Sequence, residues 1–340
     1  MTSRCPALLA ISLLTLALAC GGGGIGEPPG PPDVYAGGTI YTATAGIATI
    51  WLNGTSTPTG DGVNTSWINA LQVSGATIYA TIYAAGSDSV GAHQVAATWR
   101  NGVVTHLTDG SAQAEATGIS LSGADVYASG WDDATGQVKA KIWKNGAVFE
   151  SLSPSVPNSK ANALFVSGTD VYAAGDANGG MVWKNGVASP LTDGTHPELI
   201  YGLFVAGTNV YACGQEYIGS VWVAKVWRNG VETVLSDGVH DAEARAVFVS
   251  GSDVYVAGRD TALPGQACLW KNGVRISLPV AADTATANTV FVSGGDVYAG
   301  GRRLLPTDHG IAMFWKNGVA TQLTDGAYDG SVNSLRVIQP

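Results

Sequence analysis

Charge is scarce in this chain. Among 340 residues there are 17 Lys and Arg and 26 Asp and Glu, and the cations nowhere gather into a run. The balance is acidic, with a net charge of −9. An electrostatic grip on a nucleic-acid backbone needs clustered cations, so nucleic-acid binding is excluded as a leading function. Cysteine is nearly as rare, with four in all. There is no CxxC, no HExxH and no Cys/His spacing suited to zinc, and the GxSxG elbow of serine hydrolases is missing. Beyond residue 32 no segment repeats its apolar residues with a period of 3.6, which removes amphipathic helices from consideration.

What the chain does have is a phrase. Trp, one residue, then Asn-Gly occurs at Trp51, Trp99, Trp143, Trp183, Trp227, Trp270 and Trp315. The intervals are 48, 44, 40, 44, 43 and 45 residues. A period near 44 held over seven copies marks one supersecondary unit repeated and stacked.

Each unit reads as four short strands. In the stretch 244–286, Arg245 to Val249 is apolar and β-branched, and Ser250 to Asp253 is a turn. Val254 to Ala257 is the second strand, closed by Gly258, and Ala267 to Lys271 is the third. Asn272-Gly273 is a type I′ hairpin signal, because both central residues of that turn need positive φ. Val274 to Leu278 completes the unit. Four antiparallel strands per 44 residues make the blade of a β-propeller. The expected fold is therefore all-β, a seven-bladed propeller spanning 33–340.

The ends of that region predict how the ring closes. Asp33-Val-Tyr-Ala-Gly37 is the second strand of a blade with no first strand before it. Val332 to Val337 matches Ala161 to Val166, a first strand without its blade. The last strand should pair beside Val34 to Gly37 and remove the open edge. Repeat two carries about four extra residues before Tyr83.

The phrases DVYAAG, NVYACG and DVYVAG, with WKNG, resemble the repeats of bacterial seven-bladed propeller lipoproteins. The repeats do not carry the Trp-Asp and Gly-His signatures of WD repeats, nor the Asp box of sialidase-like propellers. The resemblance implies the fold, and its members are mostly binding or uncharacterised surface proteins.

Residues 1–19 read as an export signal, with Arg4 as the positive element and residues 7–19 as an apolar core too short to span a membrane. Leu16-Ala-Leu-Ala-Cys20 resembles a lipoprotein cleavage site, which implies lipidation of Cys20; plain cleavage before an unmodified Cys20 is the alternative. Residues 20–32 then form a Gly- and Pro-rich tether. The expected location is the bacterial cell envelope, extracytoplasmic and held only by the N-terminal lipid, with secretion as the alternative. Cys213 and Cys268 fall in strands of neighbouring repeats, and their pairing stays open at this level: stacked sheets lie ~10 Å apart, whereas a disulfide needs Cα atoms about 5.5–6 Å apart.

Repetition itself sorts structural from functional residues. The seven register Trp residues should pack between blades. Asp125, Asp170, Asp253 and Asp296, and separately Asp109, Asp193, Asp237 and Asp325, recur in turns where a short carboxylate caps main-chain N–H groups. The cations that follow the register Trp should ring one rim. Function is expected where copies differ, on the face bearing the loops between strands two and three. Those loops carry Asp88, Asp132, Asp133, Asp176, Glu216, Asp260 and Asp308, and loops of the same face carry His93, His196, His240 and His309. Three Trp residues stand outside the register: Trp67, Trp131 and Trp222. The candidate ligand-binding set is Trp67, Trp131, Asp132, Asp133, Trp222, His196, His240, Asp308 and His309, with no catalytic or metal residue assigned. Exposed rings and carboxylates suit a protein or carbohydrate ligand. A propeller hydrolase or lyase acting on polysaccharide through loop carboxylates and His is the alternative. A calcium-stabilised scaffold is a second alternative; no other cofactor is implied, and a monomer is expected.

Overall fold

The computed structural model of the chain describes residues 30–75, 80–153, 155–262, 266–280, 284–306 and 309–340. The export signal, Cys20 and nearly all of the tether lie outside these residues. From Pro31 onward the chain is one unit of seven four-stranded antiparallel sheets. Counted outward from the axis, each sheet runs strand one to strand four. The inner strands are Gly330–Ile338, Ser66–Ser74, Ala114–Ser122, Lys160–Ser167, Glu198–Ala206, Ala242–Ser250 and Thr284–Ser293, in blades one to seven. Each inner strand packs beside the next, and the seventh packs beside the first, so the blades form a closed ring.

Ring closure follows the sequence expectation. Gly330–Ile338 pairs antiparallel with Asp33–Tyr41, setting Val34 opposite Val337 and Ala36 opposite Leu335. The first blade is thus assembled from both ends of the propeller, and every blade has its four strands. In blade two, Ser74 lies opposite Thr81, leaving six residues (75–80) where blade three has two (123–124). That accounts for the four-residue excess.

The register Trp residues are the mortar. Trp51, Trp99, Trp143, Trp183, Trp227, Trp270 and Trp315 are all at most 2% exposed. Trp143 of blade three, for example, packs on Ala85 and Ala96 of blade two, and Trp227 of blade five packs on Tyr172 and Ala174 of blade four. Burying such a ring removes about 150–250 Å² from water, which makes these seven insertions the main apolar glue between sheets.

The Asn-Gly turns perform as expected, with φ of +50° at Asn145 and +88° at Gly146. The side chain does more than tolerate the turn. Asn145 Oδ1 accepts from Val126 N at 2.9 Å, and its Nδ2 donates to Asp125 at 2.8 Å. Asp125, Asp170, Asp253 and Asp296 therefore hold the turn Asn of their blades instead of capping their own backbone. Each also takes the following cation, Lys144, Lys184, Lys271 or Lys316, at 2.8 Å. Asp109, Asp193, Asp237 and Asp325 do cap main-chain N–H groups two residues on. Cys213 and Cys268 are separate, buried thiols; burial raises the Cys268 pKa to about 12.

Candidate functional site: the axial channel and its mouth

One irregularity repeated in every blade builds the site. Pairing of strands one and two slips by a residue in each sheet, leaving a bulged residue on the inner strand: Asn333, Asn69, Thr117, Asn162, Tyr201, Arg245 and Asn288. A bulge turns one extra side chain toward the sheet's free edge, which here is the axis. Opposite it on strand two stands the Gly that ends each Val-Tyr-Ala phrase. A Cβ on Gly86, Gly130, Gly175 or Gly258 would overlap the carbonyl oxygen of Trp67, Glu115, Lys160 or Glu243. Only glycine admits the kinked inner strand, so the repeat phrase and the channel wall are one device.

The inner strands enclose an axial channel of about 760 Å³ lined from all seven blades. Its middle is a belt of hydrogen bonds between blades. Asn69 Nδ2 donates to Ala116 O at 3.0 Å, Asn162 to Ile200 O at 2.8 Å, Asn288 to Val332 O at 3.0 Å and Asn333 to Ile68 O at 2.8 Å. The Thr117 hydroxyl donates to Ala161 O in the same way. The belt stops at blades five and six, where Tyr201 and Arg245 replace the amide. There the Arg245 guanidinium lies 5.6 Å from the Tyr201 ring centre and pairs with Glu243, which also takes Arg259 at 3.0 Å. Burial raises the Tyr201 phenol to about 12, so it is a neutral hydroxyl at physiological pH.

Two residues nearer the loop face, the inner strands present a varied ring in which only Glu recurs: Trp67, Glu115, Lys160, Leu199, Glu243, Thr286 and Ser331, all half-buried. Trp67 Nε1 and Asn69 Nδ2 both donate to Glu115 Oε1, at 3.2 and 2.8 Å. Trp131, the strand-two partner of Glu115, carries the Lys160 ammonium 4.6 Å from its ring centre. A recess of about 310 Å³ adjoins the ring and is bordered by Tyr41, Trp67, Arg245, Arg302 and Asp329. Asp176 stands beside the mouth, accepting from Ile200 N at 2.9 Å and Asn162 Nδ2 at 2.8 Å. Burial still dominates, raising its pKa to about 6.

The residues singled out from sequence divide sharply. Trp67 and Trp131 reach the mouth. Trp222 does not join them: it packs on Tyr217 of its own hairpin, ring centres 5.2 Å apart. Asp132, next along the strand from Trp131, points to the opposite face, where it is 7% exposed and lies 3.6 Å from Lys141. Asp88, Glu216 and Asp260 share that alternation, whereas Asp176 is opposite Lys160 at the mouth. Asp88 pairs with His106 at 2.9 Å, Asp260 with Arg275 at 3.0 Å, and Glu216 with Lys225 and, at 3.1 Å, His196. Asp133 is half-buried and bonds through its backbone to Gln113. His240 is tied to Asp237 at 2.8 Å in its own turn, His309 is exposed, and Asp308 lies outside the described residues. Among the described residues no three of His, Cys, Asp and Glu converge on a point that could hold a metal ion. Glu115, Lys160, Tyr201, Glu243, Arg245 and Arg302 were not foreseen. Aligning the bulge position across repeats would have exposed Tyr201 and Arg245 as the two departures from small polar residues.

These observations define a seven-bladed β-propeller with a structured axial channel whose loop-face mouth varies from blade to blade. No family model matches the chain, and no curated protein does. Among solved structures it is similar to the WD40 β-propeller domain of Doa1, with a TM-score of 0.47 and 16% identity over 79% of this chain and 89% of that one. It is also similar to the acylaminoacyl peptidase of Pyrococcus horikoshii, with a TM-score of 0.49 and 11% identity over 88% of this chain; it spans about half of the peptidase, 52%.

Proposed function

We propose that this protein is a binding module that takes a carbohydrate at the loop-face mouth of its channel. The observation that carries the reading is the mouth ring itself. Seven inner strands built on one backbone plan present Trp67, Glu115, Lys160, Leu199, Glu243, Thr286 and Ser331 to the same opening. Trp131 and Tyr201 supply part-exposed aromatic faces beside them, and Glu115, Arg245 and Asn69 supply hydrogen-bonding groups. Flat rings for stacking and a few placed polar groups are what sugar recognition uses. Residues 1–32 support delivery of this module to the cell envelope on a lipid carried by Cys20.

The test is a glycan array with the propeller, residues 33–340, comparing wild type with Trp131→Ala and Trp67→Ala. Saturable binding of a glycan class that either variant abolishes supports the reading. Binding of polypeptide instead, or release of cleaved sugar from a bound glycan, would replace it with an adaptor or an enzyme. Metabolic lipid labelling of the full chain, lost in Cys20→Ser, tests the anchor.

A further inference from the structure

The far end of the channel, toward the short hairpins, has a different chemistry from the mouth. Three residues past the bulge, the inner strands of blades four to seven place Phe165, Phe204, Phe248 and Phe291 on the channel wall. The rings form a continuous tilted arc with centres 5.1, 4.9 and 4.9 Å apart. All four remain partly exposed. The same position in blade one is Arg336, whose guanidinium lies 5.6 Å from the Phe291 ring centre. The arc therefore ends on a cation.

That cation lacks a counter-charge among the described residues. Its Nε donates to Gln72 Oε1 at 3.1 Å, and its Nη1 donates to Leu335 O at 2.7 Å. Both acceptors are neutral, and no carboxylate pairs with it, in contrast to Arg245, Arg259, Arg275 and Arg302. Surrounding protein lowers its pKa to about 10, which leaves it charged at neutral pH. A buried charge is costly unless paired. An unpaired guanidinium beside an exposed apolar arc is complementary to an amphipathic anion, because planar guanidinium is suited to carboxylate.

We propose that the hairpin-side half of the channel binds a small monocarboxylic acid with an aryl or alkyl body, its carboxylate on Arg336 and its apolar part against the Phe204–Phe248–Phe291 arc. The whole channel, about 760 Å³, falls within the range of about 300–1,000 Å³ typical of small-ligand sites, and this site takes its hairpin-side part. This site lies at the opposite end from the sugar-binding mouth and does not depend on that reading.

Calorimetric titration of the propeller at pH 7 tests it, with 4-phenylbutyrate and decanoate as probes and 4-phenyl-1-butanol as the uncharged control. The acids should bind saturably and about tenfold tighter than the alcohol, the preference expected of a charge-assisted contact. Arg336→Gln should erase that preference, Arg336→Lys should keep part of it, and Phe248→Ala should weaken acid and alcohol alike. Trp222→Ala, packed on Tyr217 outside the channel, should leave all these affinities unchanged. Equal affinity of wild type for acid and alcohol overturns the proposal without any variant being needed. So does failure of the acids to saturate, or retention of the preference by folded Arg336→Gln.

Discussion

Lys160 and Trp131 come from different blades and meet at the channel mouth, the ammonium 4.6 Å from the centre of the indole. The pair joins the inner strand of blade four to the second strand of blade three. Lys160→Met should remove the cation and keep the stem, at a cost of about 0.5–1 kcal/mol. Fluorine NMR of 5-fluorotryptophan-labelled protein would read it. The resonance that disappears in Trp131→Phe should be the one that moves most in Lys160→Met, while the seven register Trp signals stay in place.

Asp176 sets a pH dependence. Its carboxyl is raised from 3.8 to about 6 by burial, so the folded state binds a proton more tightly than the unfolded chain. The stabilisation from this group is complete below about pH 4 and is lost as the pH rises through about 6. It amounts to roughly 2–3 kcal/mol. Denaturant unfolding at pH 4.5 and 7.5 should show this component in wild type and its loss in Asp176→Asn, and the Asp176 carboxyl carbon should titrate near pH 6.

Gly130 and Gly123 separate two reasons for glycine within one blade. A Cβ at 130 would strike the Glu115 carbonyl, whereas at 123, where φ is +58°, it would meet open space. Gly123→Ala should cost about 1 kcal/mol, the ordinary penalty for a left-handed alanine. Gly130→Ala must push back a main chain and should prevent a cooperatively folded product or cost several times more. Thermal melts of the two variants decide it, and equal melting temperatures would remove the bulge argument.

Trp143 is fully buried between blades two and three. Trp143→Ala should cost about 3–5 kcal/mol, the range for deleting a large core ring. Trp222, packed on Tyr217 at the surface, should lose less than about 1.5 kcal/mol on the same change. Paired urea titrations give the comparison.

Ending the chain at Asp329 deletes Gly330–Ile338, the strand that pairs with Asp33–Tyr41. The exposed edge invites strand addition from other molecules. Gel filtration of that truncation should show aggregates, where wild type elutes as a defined species.

The fold was legible because its determinants are local and repeated. Asn145-Gly146 encodes a turn, Trp143 encodes a buried register, and a strand missing at one end with a spare at the other encodes closure. The site was less legible because side-chain direction in a strand changes with every residue. Trp131 and Asp132 are adjacent in the sequence and sit on opposite faces, so a loop motif that looked like one cluster is a channel residue beside a structural ion pair. The bulge compounds this. It shifts the alternation by one residue, and only strand pairing reveals which of Asn69 and Ala70 is the unpaired one.

The belt and the phenylalanine arc divide the ring's inner seams between two kinds of force. Five of seven junctions carry an Asn or Thr hydrogen bond to the neighbouring backbone. The two flanking blade six carry none from the bulge position among the described residues; they have the Phe204–Phe248 and Phe248–Phe291 contacts, with Arg245 over the Tyr201 ring at the first of them. Apolar contacts weaken on cooling. Because every seam also carries a buried register Trp, the contrast is confined to the inner wall: chilling should weaken the channel lining at blade six more than at the five hydrogen-bonded junctions.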